Sequence, residues 1–395
     1  MRILFVSHSL PPKGRPLANL GGMQRVAAKL LDALHARDDV VVEEAVLRAP
    51  WKWIHYKVGP YLLRTGWTLR QRAKRGDIDL VLFSSMVTAA LAVPLRGVLR
   101  AQGVRTAAIV HGLDVTTPFP PYQWFVPKVF DALDAVLPVS RATGAACTER
   151  GLAPEKMHVV PNGIDLDRFD ATGDKTALRA ELVDALDAPE SPLPSDALLL
   201  CSVGRQVKRK GFDWFAANVM PRLPSDVHYW IAGDGPEAET IQAAIDANRL
   251  NDRVRRLGRI SEANLARLYR GADLYIMPNV PVPGDMEGFG VVMLEAGQCG
   301  CPVVAARLEG IRDVITEGVN GHLVEPQAPD AFVNAIVPYY RNPETLAEAG
   351  QEAAAHIKAR FSWTAVADRY VDVLHSVWTE GVPAEDTTPS PVADA

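Results

Sequence analysis

Cysteine is scarce in this 395-residue sequence, and the four present (Cys147, Cys201, Cys299, Cys301) are too irregularly spaced for a disulfide framework. Their scarcity points to a reducing, cytoplasmic setting. Cys299-Gly300-Cys301 has no second pair and no neighbouring histidine, so it reads as reduced packing rather than a metal site. No apolar run reaches the roughly eighteen residues that a membrane-spanning helix needs, so the expected membrane contact is peripheral. The opening Met1–His8 is too short an apolar run for a signal peptide and reads as a buried first strand. Positive charge is not in surplus either: the formal net charge of −5 argues against a general nucleic-acid binder. A nicotinamide enzyme would carry Gly-x-Gly-x-x-Gly after its first strand, and the Pro-rich stretch there has no such pattern.

What is present is ordinary globular composition, 48% apolar and 23% charged, over a length that suits two domains. In the first half, strand candidates at Ile3–Ser7, Val40–Val46, Leu80–Ser84, Thr106–Val110, Ala135–Val139 and Met157–Val160 alternate with helical patterns such as Met23–Ala36 and Val87–Gln102. A second series follows at Leu198–Gly204, Val227–Ala232, Val254–Leu257, Leu274–Met277, Val303–Ala305 and Gly321–Val324. This alternation predicts two α/β, Rossmann-like domains with parallel sheets, whose ligands sit at the carboxyl ends of the strands. Between them, Asp170–Asp196 is polar with a Pro/Ser-rich tail, the composition of a linker. No Asp-x-Asp is expected near a strand end, which agrees with metal independence.

Three stretches carry candidate chemistry. Gly284–Gly297 begins after the buried run Leu274–Pro278 and ends in a helical segment, with Gly288 and Gly290 allowing a sharp turn and close backbone approach to a ligand. The Phe289 and Gly290 amides then face out at a helix amino end, a place suited to anions. Gly204–Gly211 packs four cations into six residues at a strand end (Arg205, Lys208, Arg209, Lys210); alone it reads as a solvated loop. His111-Gly112 follows a first-half strand, and a lone histidine there is commonly structural.

Together these stretches resemble the family 4 retaining glycosyltransferases. Glu287-Gly288-Phe289-Gly290 with Glu295 is similar to their Glu-x7-Glu signature, and Val159–Asp165 to their Pro-Asn-Gly-Ile-Asp segment near the interdomain hinge. The resemblance covers the chain to about Trp378 and implies the GT-B architecture, two Rossmann-like domains facing each other across a cleft. Expected domains are residues 1–187 on the acceptor side, 188–362 for the nucleotide sugar, a helix at 363–380 crossing back, and a disordered tail at 381–395. By resemblance, Arg205 and Lys210 grip the donor diphosphate together with the Gly22, Phe289 and Gly290 backbone, while Lys208 and Arg209 match no family position. Glu287 positions the sugar hydroxyls, His111 lies beside the donor sugar, and Glu295 holds the ribose. Asp114 is a further candidate for substrate hydroxyls or for orienting the imidazole. Gly235, Arg259 and Ile260 fall in segments that line the base pocket, and Ser140-Arg141 with Thr143 is assigned to acceptor-side or interdomain packing. The implied activity is retaining, metal-independent transfer of a sugar from a nucleotide-diphosphate sugar to a hydroxyl of a glycan or lipid-linked acceptor, in cell-envelope glycan or glycolipid synthesis. The alternative is a sugar-nucleotide epimerase or hydrolase of the same architecture. No cofactor, metal or nucleic acid is expected.

One stretch departs from that pattern. Trp51–Arg75 holds Lys52, Lys57, Arg64, Arg70, Arg72, Lys74 and Arg75 without an acidic residue, interleaved with Trp51, Trp53, Tyr56, Tyr61 and Trp67. It reads either as a helix lying in an anionic membrane interface, or as a solvated helix pair, broken near Pro60 and Gly66, with its tryptophans packed on the sheet.

Overall fold

The computed structural model describes residues 1–12, 22–49, 51–169, 174–186, 193–194 and 196–380, with only the backbone at 51–53 and 55. The Pro-rich loop through Gly21, most of the Pro/Ser-rich linker tail, the side chains of Trp51, Lys52 and Trp53, and the 381–395 tail lie outside the described residues.

Two parallel sheets form. The first contains β1 (Arg2–Leu10), β2 (Val41–Arg48), β3 (Leu80–Phe83), β4 (Arg105–Val110) and β5 (Ala135–Pro138), in the order β2-β1-β3-β4-β5. The second contains β6 (Leu198–Val203), β7 (Val227–Ala232), β8 (Val254–Gly258), β9 (Leu274–Met277), β10 (Val303–Ala306) and β11 (Gly321–Val324), in the order β11-β10-β9-β6-β7-β8. Helices cover the sheet faces, so the central strands are apolar along their whole length: all of β3, β7, β9 and β10 is buried. Polar residues appear on the edge strand β2, where Glu43 and Glu44 are exposed and meet Arg72 and Arg48.

The expected strand at Met157–Val160 does not form as a strand. Its His158 and Val160 amides bond to Val136 and Pro138 of β5. Pro138 has no N–H to return, so the ladder stops at a single bridge. The helix expected over Val87–Gln102 is broken at Ala90-Leu91 into Met86–Ala89 and Ala92–Ala101, because Pro94 cannot donate to the Ala90 carbonyl. The 187/188 boundary would put the helix Lys175–Ala185 in the first domain. It packs instead on Glu262–Gly271 beside the second sheet, tied by Lys175 and Arg179 to Asp273 and by Arg267 to Glu181.

The last helix, Trp363–Thr379, buries Val366, Ala367, Tyr370, Val371, Leu374 and Val377 at helical spacing and lies against the first helix, Gly22–His35. Two further ties hold this return. Arg37 pairs with Asp368, and the Ile164 amide donates to the Phe361 carbonyl at 2.7 Å. Gly163 leaves room for the Trp363 ring, from which a Cβ would stand 2.6 Å away.

Trp51–Arg75 is one continuous helix of 25 residues with Pro60 inside it, not a broken pair. Leu69, Ala73 and Thr65 face inward, and the Tyr61 hydroxyl donates to the Ala45 carbonyl at 2.6 Å. Tyr56, Leu63 and Trp67 face outward at 78%, 80% and 65% exposure. Trp67 therefore does not pack on the sheet.

Candidate functional site

In each sheet the chain leaves the centre in opposite directions, and loops at that reversal form a crevice beyond the strands' carboxyl ends. In the second sheet the reversal lies between β6 and β9. The loop after β6 carries Arg205–Gly211, the loop after β9 carries Asp285–Gly290, and the loop after the neighbouring β10 carries Leu308–Gly310. In the first sheet the ends of β1, β3 and β4 bring His8, Ser84-Ser85 and His111 together: His8 Nδ1 is 3.3 Å from the Ser85 hydroxyl. His111 Nε2 is 3.1 Å from the Ser84 carbonyl.

The two sets of loops touch. A Cβ on Gly288 would stand 2.9 Å from the His111 carbonyl, and one on Gly112 would stand 3.7 Å from Gly288 Cα. Only glycine at 288 permits this approach. Nearby, the Arg141 amide donates to Asp313 at 2.7 Å while its side chain pairs with the same carboxylate, so Arg141 ties the lobes together. Ser140 caps its own helix through the Thr143 amide at 3.0 Å.

At the crevice, Glu287 is half-buried, its side chain 12% exposed, and carries two cations. Lys210 Nζ lies 2.6 Å from its carboxylate, and Arg209 pairs with it while also reaching Asp285 at 3.0 Å. Burial works to raise the Glu287 carboxyl, but the Lys210 ammonium and the Arg209 guanidinium outweigh it and hold it at about 2. Glu287 is thus a carboxylate at any physiological pH. Arg209 matches no family position, and nothing in its sequence context separates it from Lys208. The tertiary structure gives it the Glu287 carboxylate, while Lys208 is exposed. Arg205, by contrast, is exposed and has no ion pair among the described residues, although Gly204 beside it packs against the Lys210 stem.

Glu295, just over one turn into the helix Val291–Gln298, has different company. The Tyr269 hydroxyl donates to it at 3.0 Å, Arg168 pairs with it and with Glu262 at 2.5 Å, and Arg25 of the first helix stands 3.9 Å away. Burial raises this carboxyl, and the Arg168 and Arg25 charges only partly restore it. Arg25, Arg168 and Tyr269 come from three separate segments, and no spacing pattern links them to Glu295.

Gly22 opens the first helix, exposed, and among the described residues no other segment comes within 4 Å of where a Cβ would stand. Gly290 sits at φ 84° ahead of the helix Val291–Gln298, and the Phe289 ring is buried near Phe361 with 6.3 Å between centroids. The Asp114 carboxylate makes no hydrogen bond to the imidazole. It accepts from the His111 amide at 2.9 Å and from the Met86 amide at 3.5 Å, so it shapes the turn instead. Gly235 abuts the Gln206 carbonyl so closely that a Cβ would collide with it, and Gly233 donates to the Gly258 carbonyl at 2.7 Å. These contacts stack the loops after β6, β7 and β8. Arg259 is exposed beside Asp234 at 3.7 Å, and Ile260 is half-buried. An Asp-x-Asp does occur at Asp77-Ile78-Asp79, but at the amino end of β3, where Asp79 binds Arg2. A second, Asp165-Leu166-Asp167, lies in the segment between the sheets, where Asp165 pairs with Lys29.

Two family models match this chain in sequence order: Glycosyltransferase Family 4 over residues 20–168, and Glycosyl transferases group 1 over residues 197–342. The chain belongs to the family 4, group 1 glycosyltransferases. Family relatives include the D-inositol 3-phosphate glycosyltransferase of Segniliparus rotundus, 37% identical over 54% of this chain and 46% of the relative. Another is the GDP-mannose-dependent alpha-(1-6)-phosphatidylinositol monomannoside mannosyltransferase of Mycolicibacterium smegmatis, 28% identical over 78% of this chain and 80% of the relative. The chain spans about half the length of the first curated relatives it matches. Among solved structures, Anabaena Alr3699/HepE in complex with UDP superimposes with a TM-score of 0.68 at 20% identity, covering 95% of this chain and all of that one. The catalytic domain of Starch Synthase IV from Arabidopsis thaliana, bound to ADP and acarbose, does so at 0.69 and 15% identity, over 96% and 99%. These likenesses establish the fold, and the GT-B architecture implied by the motifs is the one observed.

Proposed function

We propose that this protein transfers a sugar from a nucleotide-diphosphate sugar to a hydroxyl of an inositol-phosphate or phosphatidylinositol-type acceptor, with retention of anomeric configuration and without a metal. The observation that carries the reading is the Lys210–Glu287–Arg209 cluster, set where the glycines of the two lobes meet. It supplies what the reaction needs. Breaking the anomeric C–O bond builds negative charge on the departing diphosphate and positive charge on the sugar. Lys210, Arg209 and Arg205, with the Phe289 and Gly290 amides, answer the first charge. Glu287, fixed as a carboxylate, answers the second. Lys210 and Arg209 both rest on Glu287; a diphosphate draws them off and releases the carboxylate to the sugar. His111, half-buried at the lobe contact, borders the same point. Glu295 takes the ribose hydroxyls, with Arg168 and Arg25 as its partners until the nucleotide arrives. Gly22 lets the first helix approach the diphosphate, while Gly235, Arg259 and Ile260 border the base.

The acceptor class draws on the relatives named for inositol phosphate and phosphatidylinositol substrates, and on the basic helix. Tyr56, Leu63 and Trp67 fall on one face of that helix at spacings of seven and four, with Lys57, Arg64, Arg70 and Lys74 exposed around them. Apolar side chains bordered by cations suit the interface of an anionic membrane. This reading has the enzyme working on the cytoplasmic face, in cell-envelope glycolipid synthesis. No described helix is long and apolar enough to cross a membrane.

The test is a panel of nucleotide sugars screened for thermal stabilisation and slow donor hydrolysis, followed by transfer to inositol phosphate and to phosphatidylinositol in vesicles. Transfer with the product in the donor's configuration supports the reading. Free epimerised sugar identifies the sugar-nucleotide epimerase of the same architecture, and absence of any nucleotide-sugar binding overturns the reading.

A further inference from the structure

Glu309 occupies a backbone conformation that side chains avoid. Its φ is +41°, and only Arg249 and Gln327 share a positive φ among the described residues other than glycine. Glycine would sit there without strain, yet the chain carries a long acidic residue. Its carboxylate accepts a hydrogen bond from the Glu287 amide. The next residue completes the hold, since the Gly310 amide donates to the Glu287 carbonyl at 3.1 Å. Gly310 lies so close to Gly288 that a Cβ would collide with the Gly288 carbonyl. Both backbone polar groups of Glu287 are therefore satisfied by one dipeptide from the neighbouring strand end. A loop residue left to itself would find water or shift.

We propose that Glu309 is a positioning residue for Glu287: its side chain fixes the backbone of the turn from which the Glu287 carboxylate is aimed. Strained backbone persists where the surroundings over-determine it, and such positions gather at functional sites. Here the strain at 309 is what brings a carboxylate back over the 287 amide. Burial raises the Glu309 carboxyl, the hydrogen bond from the Glu287 amide lowers it, and the Glu287 charge raises it again, so the amide contact is what favours a carboxylate at 309. The inference rests on the reading that Glu287 faces the donor sugar.

The experiment compares Glu309→Gly and Glu309→Gln with the natural protein. Glycine suits a positive φ, so the Glu309→Gly protein keeps or raises its melting temperature. With the turn no longer held, kcat for transfer falls by ~10- to 100-fold, the scale expected for a small misplacement of a reacting group, while the donor KM stays within about threefold. Glu309→Gln retains an acceptor for the Glu287 amide and recovers most of kcat. Hydrogen exchange supplies a readout that needs no substrate: the 284–290 peptide exchanges faster in Glu309→Gly and at the natural rate in Glu309→Gln. A Glu309→Gly protein with natural kcat and natural exchange overturns the proposal. If the natural protein turns over no nucleotide sugar, the functional reading fails instead, and exchange alone decides: faster in Glu309→Gly supports positioning, unchanged overturns it.

Discussion

Glu287 and Glu295 come from one short motif, the first half-buried and the second buried, and their surroundings push them in opposite directions. Glu287 sits in a loop with Lys210 and Arg209 against it and is held at about 2. Glu295 sits in a helix with Arg168 and a tyrosine hydroxyl on it and Arg25 3.9 Å away, and burial raises it. The difference lies in how the cations reach them. Those on Glu287 come from a loop at the adjacent strand end of the same sheet. Those on Glu295 come from the first helix and from the segment between the sheets. Spacing alone makes two equivalent acids; the contacts make one a permanent charge and the other a hydrogen-bonding partner that depends on how the lobes meet.

The most severe way to break this comparison is to neutralise the charge. Glu287→Gln is expected to lower turnover by roughly 100- to 1,000-fold in initial-rate assays, because it removes preorganised charge at the reacting centre. A fall of the same size in Glu295→Gln would erase the distinction. Next comes acid. A carboxylate held at about 2 rather than 4.5 contributes stability that is full above about pH 4.5 and is lost as pH falls toward 2. Its share is about 3 kcal/mol. Glu295, with a raised value, behaves in reverse, costing stability at neutral pH and recovering it on acidification. Thermal melts from pH 6 to pH 3 should therefore fall less steeply in Glu287→Gln than in the natural protein; parallel slopes would contradict the assignment. Lys210→Ala should weaken nucleotide-diphosphate binding by ~10- to 100-fold in calorimetry, the scale of one charge-assisted hydrogen bond. Arg205→Ala, run beside it, shows whether the exposed arginine joins the grip. Glu295→Gln should raise the donor KM by about tenfold and change kcat much less, as loss of uniform binding does. The smallest effect belongs to the basic helix: Arg70→Gln should weaken binding to anionic vesicles by about fivefold, one basic residue's share. Unchanged sedimentation would remove the motive for a membrane-bound acceptor.

The second sheet is legible in the chain because its central strands are buried on both faces and read as unbroken apolar runs. Leu274–Met277 is the clearest case, observed with the bounds its sequence implies. The Met157–Val160 expectation fails because apolar character says nothing about whether a neighbouring proline can complete a ladder. Glu287, Lys210 and Glu295 stand in a recognisable motif, so their proximity to a site is readable. Arg209, Asp285 and Glu309 stand in no such pattern. Glu309 enters only because β10 lies beside β9, a neighbour relation that the order of strands in the chain does not state.

Sequence by itself determined two parallel α/β sheets, a family, and a set of glycines and charges at strand ends, because periodicity and turn chemistry are local. Tertiary structure alone decided which charge meets which. Ion pairing and burial depend on distances of a few ångströms between segments far apart in the chain, and no local pattern encodes those distances.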